Sequence, residues 1–214
     1  VMDVIAAANA RAASLPPGAP GILRMEVGQP GTGAPLGARQ AAIRALQDAH
    51  PMGYTEAFGL RSLRARIARH YRERYGAEVP EARIAVTVGA SGAFPLAFLS
   101  AFYPPYANIL TALGMQPVLL PCDASTRFQP TLAMLERMDP RPEGLIVASP
   151  CNPAGTMLAP AELQAIARWC HANGVRLISD EIYHGLTWGT VEESTAAAFS
   201  PSAVVVNSFS KYWS

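Results

Sequence analysis

Apolar residues follow two rhythms along this chain. Between residues 36 and 75 they recur at helical spacing: 36–49 is Ala-rich, and 60–75 places Leu60, Leu63, Ile67 and Tyr71 on one face with arginines over much of the rest. Further on, short continuous runs take over: Ile84-Ala85-Val86-Thr87-Val88, Pro117-Val118-Leu119-Leu120, Leu145-Ile146-Val147-Ala148, Val175-Arg176-Leu177-Ile178-Ser179 and Ala203-Val204-Val205-Val206. Runs of this kind are strands covered on both faces. Between the third and fourth lies a strong amphipathic helix, 161–172, opened by Pro160 and closed near Asn173-Gly174. The alternation predicts an α/β fold with a largely parallel sheet.

The stretch up to Gly37 has a different texture. It is rich in Pro and Gly, including Leu15-Pro16-Pro17-Gly18 and Gly28-Gln29-Pro30-Gly31, and reads as an arm or winding loop. Residues 4–13 are apolar but interrupted by Asn9 and Arg11 and lack a basic leader, so an ordinary helix is expected there. No run approaches the ~20 apolar residues of a membrane span.

Composition narrows the function classes. Half the residues are apolar, 15% are charged, and Lys plus Arg number 17 against 16 Asp plus Glu, which gives no electrostatic case for nucleic acid or an anionic membrane. Cys122, Cys151 and Cys170 stand far apart, without the close pairing a zinc site or dithiol centre needs, so no metal is expected and a reduced, cytoplasmic setting fits.

One count bears on chemistry: Lys211 is the single lysine, and every other long cationic side chain is arginine. A guanidinium stays protonated and cannot condense with a carbonyl, whereas a lysine amine can. In an open α/β sheet, ligands gather at the carboxyl ends of the strands. There the sequence places Gly89-Ala90-Ser91-Gly92-Ala93 leading into a helical run at 94–101, then Ser149-Pro150-Cys151-Asn152-Pro153-Ala154-Gly155-Thr156, then Asp180-Glu181-Ile182-Tyr183, and last Asn207-Ser208-Phe209-Ser210-Lys211. Amides at a helix start beside a Ser hydroxyl can bind a phosphate, although a small-residue turn is by itself an ordinary connection.

Taken in this order, the four loops resemble those of the class I/II aminotransferases, pyridoxal 5'-phosphate (PLP) enzymes of fold type I. The usual family signatures are a small-residue turn, an Asn-Pro-x-Gly loop, Asp-Glu-x-Tyr and Ser-x-Ser-Lys, and the likeness runs from about Gly28 to the chain end. It implies a three-layer α/β/α large domain over 38–214, with 1–37 forming an arm and a segment of a small domain. It also implies transfer of an amino group from an α-amino acid to a 2-oxo acid by a ping-pong mechanism. Lys211 would bind the cofactor aldehyde and shuttle a proton. Asp180 would hold the proton of the ring nitrogen, and Asn152 and Tyr183 would donate hydrogen bonds to the phenolic oxygen. Ser208 would join Ser91 and the amides near Ala90 and Gly92 around the phosphate, with Tyr103 stacked on the ring. Tyr54, in Met52-Gly53-Tyr54-Thr55, resembles a tyrosine that reaches the cofactor phosphate of a neighbouring subunit, which makes a homodimer with shared sites the expected assembly. Gly28 and Asn152 would lie on the substrate side, Gly28 because a missing side chain lets backbone approach a carboxylate.

The sequence also departs from the family. Phe102 runs directly into Tyr103-Pro104 where relatives carry a turn and another strand, a difference of about a dozen residues, enough for one short strand with its turns. Cys151 and Ala154 replace the more frequent Asn and Thr but leave Asn152 in register. Past Ser214 the family pattern calls for a second phosphate-binding arginine and a small domain carrying the arginine that grips the substrate carboxylate. Two other functions share these anchors: a carbon–sulfur β-lyase of the same fold, and the effector domain of a transcriptional regulator that senses PLP without turnover. The second would bring a basic winged-helix segment upstream, and none is visible at this N-terminus.

Overall fold

The computed structural model describes residues 2–48, 52–97 and 104–214. Its centre is a three-stranded parallel sheet in the order β1 (Gly144–Ala148), β2 (Arg176–Asp180), β3 (Val204–Val206). Register pairs Ala148 with Asp180 and Asp180 with Val206, so the carboxyl ends of all three strands finish level. The loops that leave them therefore emerge side by side.

Side chains alternate across the sheet, as a period of two requires. Leu145, Val147 and Leu177 face a buried cluster with Leu163, Ile166, Ala167 and Cys170 of α7 (Pro160–Ala172) and Leu135 of α6 (Leu132–Glu136). Ile146, Ile178 and Val206 face the other way, towards Tyr106 of α5 (Pro104–Ala112) and Ala90, Ala93 and Phe94 of α4 (Gly89–Ala97). Helix, sheet and helix make the three layers that the resemblance implied. Helix α7 starts where Pro160 supplies a preset φ and the Glu162 carboxylate accepts the Ala159 N–H at 2.7 Å, and it stops at Asn173, followed by Gly174 with φ 69°.

Two expected strands do not form. Residues 84–88 join no ladder, with the Val86 N–H donating to the Phe58 carbonyl at 3.0 Å, and 117–120 is likewise outside the sheet. A strand exists only if a neighbour takes its backbone groups, and the described chain offers neither run such a neighbour. The chain opens with α1 (Met2–Ala13), α2 (Leu36–Gln47) and α3 (Arg61–Tyr75), close to the bounds expected from the pattern. Among the described residues no helix is long and apolar enough to cross a membrane.

Candidate active site

Three loops leave the level ends of the strands, and contacts between them assemble the site. The loop after β1 carries Asn152, whose Nδ2 donates to the Tyr183 hydroxyl at 3.0 Å. Tyr183 lies in the turn after β2, and the Lys211 amine stands 5.4 Å from its ring centroid. Lys211 Nζ also donates to the Gly28 carbonyl at 2.8 Å, which brings the N-terminal loop to the lysine from 183 residues away. The residue after the lysine completes the packing. Tyr212 lies so close to Gly185, which has φ 89°, that a Cβ there would sit 2.5 Å from its ring, so only glycine lets these two loops meet.

Asp180 ends β2 on the same face as Ile178, under α5. Its Oδ1 accepts the Ile182 N–H at 3.2 Å, and the Tyr106 hydroxyl donates to its Oδ2. Burial pushes its carboxyl pKa up, against the pull of those two hydrogen bonds. No arginine, lysine or histidine forms an ion pair with it among the described residues. A buried carboxylate of this kind is suited to a cationic partner such as a protonated ring nitrogen, and both oxygens keep lone pairs for it.

On that same face the first turn of α4 lies over the sheet, with Ala90 and Ala93 packed against the Ile178 and Val206 cluster. Ser91 is exposed and Gly92 half-buried. Ser208 and Ser210 share a hydrogen bond of 2.6 Å, and the Ser210 N–H donates to Ser208 Oγ at 3.0 Å. The donor set therefore fits PLP: one amine, a buried carboxylate at a strand end, an Asn–Tyr pair, and hydroxyls with a helix start for a phosphate dianion.

Not every expected residue is gathered. Tyr103 lies outside the described residues, and Tyr54 is fully exposed on the surface. Sequence reasoning gives no role to Tyr106, which lies in α5. Its ring sits 4.7 Å from that of Phe94 and its hydroxyl is on Asp180, and two aromatics bracketing the Pro-Pro pair were the one available hint.

The sequence profile of aminotransferase class I and II matches residues 20–214. The chain belongs to this family. It is 48% identical over 205 residues to a valine–pyruvate aminotransferase of Mycobacterium tuberculosis, with 90% of this chain and 53% of that protein covered. An aminotransferase crystal structure from the same organism superposes with a TM-score of 0.91 at 46% identity, covering 99% of this chain and 57% of the other. The Thermus thermophilus aspartate aminotransferase solved with maleate gives a TM-score of 0.80 at 27% identity, over 87% of this chain and 52% of that one. The chain thus spans about half the length of the relatives it matches.

Proposed function

We propose that the full-length protein is a PLP-dependent aminotransferase that moves an amino group from an α-amino acid to a 2-oxo acid in two alternating half-reactions. The observation that carries this is the convergence of the single lysine with Tyr183, Asn152 and Gly28 beside strand ends where Asp180 is buried. When bound, PLP supplies an aldehyde for the Lys211 amine and a pyridine ring that draws electrons from the breaking bond at the substrate Cα. Asp180 keeps a proton on the ring nitrogen. Asn152 and Tyr183 hold the phenolic oxygen, while Ser91, Ser208 and the amides around Ala90 and Gly92 hold the phosphate. Lys211 Nζ would take the proton from the substrate Cα. Gly28 leaves backbone open to the substrate carboxylate next to that amine. The valine–pyruvate pair in the name of the mycobacterial relative is the first substrate pair to try.

The same reading takes residues 1–37 as an arm with a small-domain segment, and 38–214 as the PLP-binding domain. It places the protein in the cytoplasm as a homodimer, with Tyr54 entering the neighbouring site and Tyr103 stacked on the ring. A visible spectrum of the purified full-length protein, before and after adding single amino acids, tests it. Loss of the aldehyde-form absorbance with an amino acid alone supports transfer, whereas release of pyruvate and ammonia supports elimination by a β-lyase. Lys211→Ala should abolish the lysine-bound absorbance and activity together, and full activity in that variant would overturn the assignment. Asp180→Ala should retain some absorbance while losing most of the rate.

A further inference from the structure

Helix α3 takes no part in the chemistry above, yet it bonds to two of the site loops from behind. Tyr71 and Tyr75 stand one turn apart on it, their rings 5.5 Å apart, Tyr71 buried and Tyr75 half-buried. Asn207 Nδ2 donates to the Tyr71 hydroxyl at 3.2 Å, and Asn207 Oδ1 accepts the Ser208 N–H at 2.7 Å. This side chain, held at both ends, sets the direction in which the chain leaves β3 towards Lys211.

Tyr75 does the same for the other loop. Its hydroxyl lies 2.9 Å from Nδ1 of His184, the buried residue directly after Tyr183, and the His184 N–H donates to the Glu181 carbonyl at 3.0 Å. Burial pushes the Tyr75 phenol up to about 12 and holds the His184 imidazole below its ordinary value. One hydrogen bond joins the phenol to Nδ1, and the Ser149 backbone at the head of the Asn152 loop also bonds the imidazole. The charged and titratable groups around this imidazole are Arg74 and His70 of α3, Glu193, and Glu181, whose Oε2 is 3.6 Å from Nδ1. Arg74 adds a brace of its own. It pairs with Glu193 at 2.5 Å, and the other oxygen of that carboxylate accepts the Gly185 N–H, beside Tyr212.

We propose that Tyr71 and Tyr75 are positioning residues: two hydroxyls one turn apart on α3 that fix the lysine loop, through Asn207, against the Asp180–Tyr183 turn, through His184. The inference rests on the reading of Lys211 as the cofactor amine, and its test has one arm that needs no cofactor. Tyr71→Phe and Tyr75→Phe in the full-length protein remove one hydroxyl each and keep both rings. In the cofactor-free protein, Tyr71→Phe should speed amide hydrogen exchange over 207–211 about fivefold and leave 181–185 unchanged, and Tyr75→Phe should do the reverse, that factor being what one hydrogen bond typically supplies. With PLP bound, each variant should lower kcat about tenfold with KM for the amino acid within about twofold, the mark of a displaced amine rather than lost binding. A lowered melting temperature with both segments exchanging alike and kcat unchanged would show a merely structural role and overturn the proposal. Segment-specific exchange in a protein that never takes up PLP would uphold the clamp and sink the functional reading instead.

Discussion

The sheet region and the segment from residue 20 to residue 60 treat large apolar side chains in opposite ways. In the first, Leu135, Leu163, Ile166, Leu177 and Ile178 are almost wholly buried in the two clusters that flank the sheet. In the second, Leu23 is 82% exposed, Met25 84% and Leu46 73%, and no residue of α2 is buried. Large apolar groups gathered in one exposed stretch of chain are the kind of surface that suits contact with another element or copy. The sheet has a buried core on both faces, while the earlier segment leaves its large apolar side chains uncovered among the described residues, and the site borrows from both, because Lys211 of one reaches Gly28 of the other.

Two substitutions in the sheet region probe how closed it is. Leu177→Ala cuts a side chain that is 1% exposed between β2 and α7, and should lower unfolding stability by about 2–5 kcal/mol, read as a shift of the urea midpoint at unchanged slope. A loss no larger than that of a surface substitution would mean that the α7 face is loosely packed and the contrast overstated. Glu181→Gln probes polarity in the same interior. Burial pushes the Glu181 carboxyl up to about 7 from an ordinary 4.5, although the Ala196 N–H, donating to Oε1 at 2.9 Å, pulls it down. The folded protein thus binds this proton more tightly than the unfolded one does, and stability falls as pH rises through the window from 4.5 to about 7. His184, held below its ordinary value by burial, acts in the opposite sense and costs stability as pH falls. Replacing Glu181 with Gln should remove up to about 3 kcal/mol of the alkaline decline, seen as a smaller drop in melting temperature between pH 5 and pH 8. An unchanged drop would place the pH sensitivity elsewhere.

How far the sequence could be read follows from the same contrast. Helix α7 and strands β1, β2 and β3 were legible because their signals are local: Pro160 and Gly174 punctuate a 3.6-residue rhythm, and the β-branched runs are short and continuous. Residues 84–88 carry the same β-branched signature and still fail as a strand, since pairing belongs to a neighbour that the run itself cannot encode. The site divides along the same line. Asn152, Asp180, Tyr183 and Lys211 could be picked out because each sits at or shortly after the carboxyl end of a strand, in loops whose order resembles a known family. Tyr106 reaches Asp180 across 74 residues, and Tyr75 reaches His184 across 109, as single aromatics with no pattern around them. Tyr71 was visible only as the apolar face of a helix, its hydroxyl bond to Asn207 hidden.

The smallest effect is expected where the contrast says least is at stake for folding. Leu46 lies near the end of α2 with no core around it, so Leu46→Ala removes little packing and installs the best helix former, and a surface change of this kind is worth within about 0.5 kcal/mol. The informative comparison is the concentration dependence of melting in the full-length protein, parent against variant. If a second copy covers α2, the parent should melt higher as concentration rises, and Leu46→Ala should weaken that slope while leaving the dilute limit unchanged, because only the associated state feels the lost side chain. If the remainder of the same polypeptide covers it, the variant should melt lower by a fixed amount at every concentration. A variant indistinguishable from the parent in both respects would leave this face as plain solvent-facing surface, and the opposition between the two regions would then lie in the loops around Leu23 and Met25 alone.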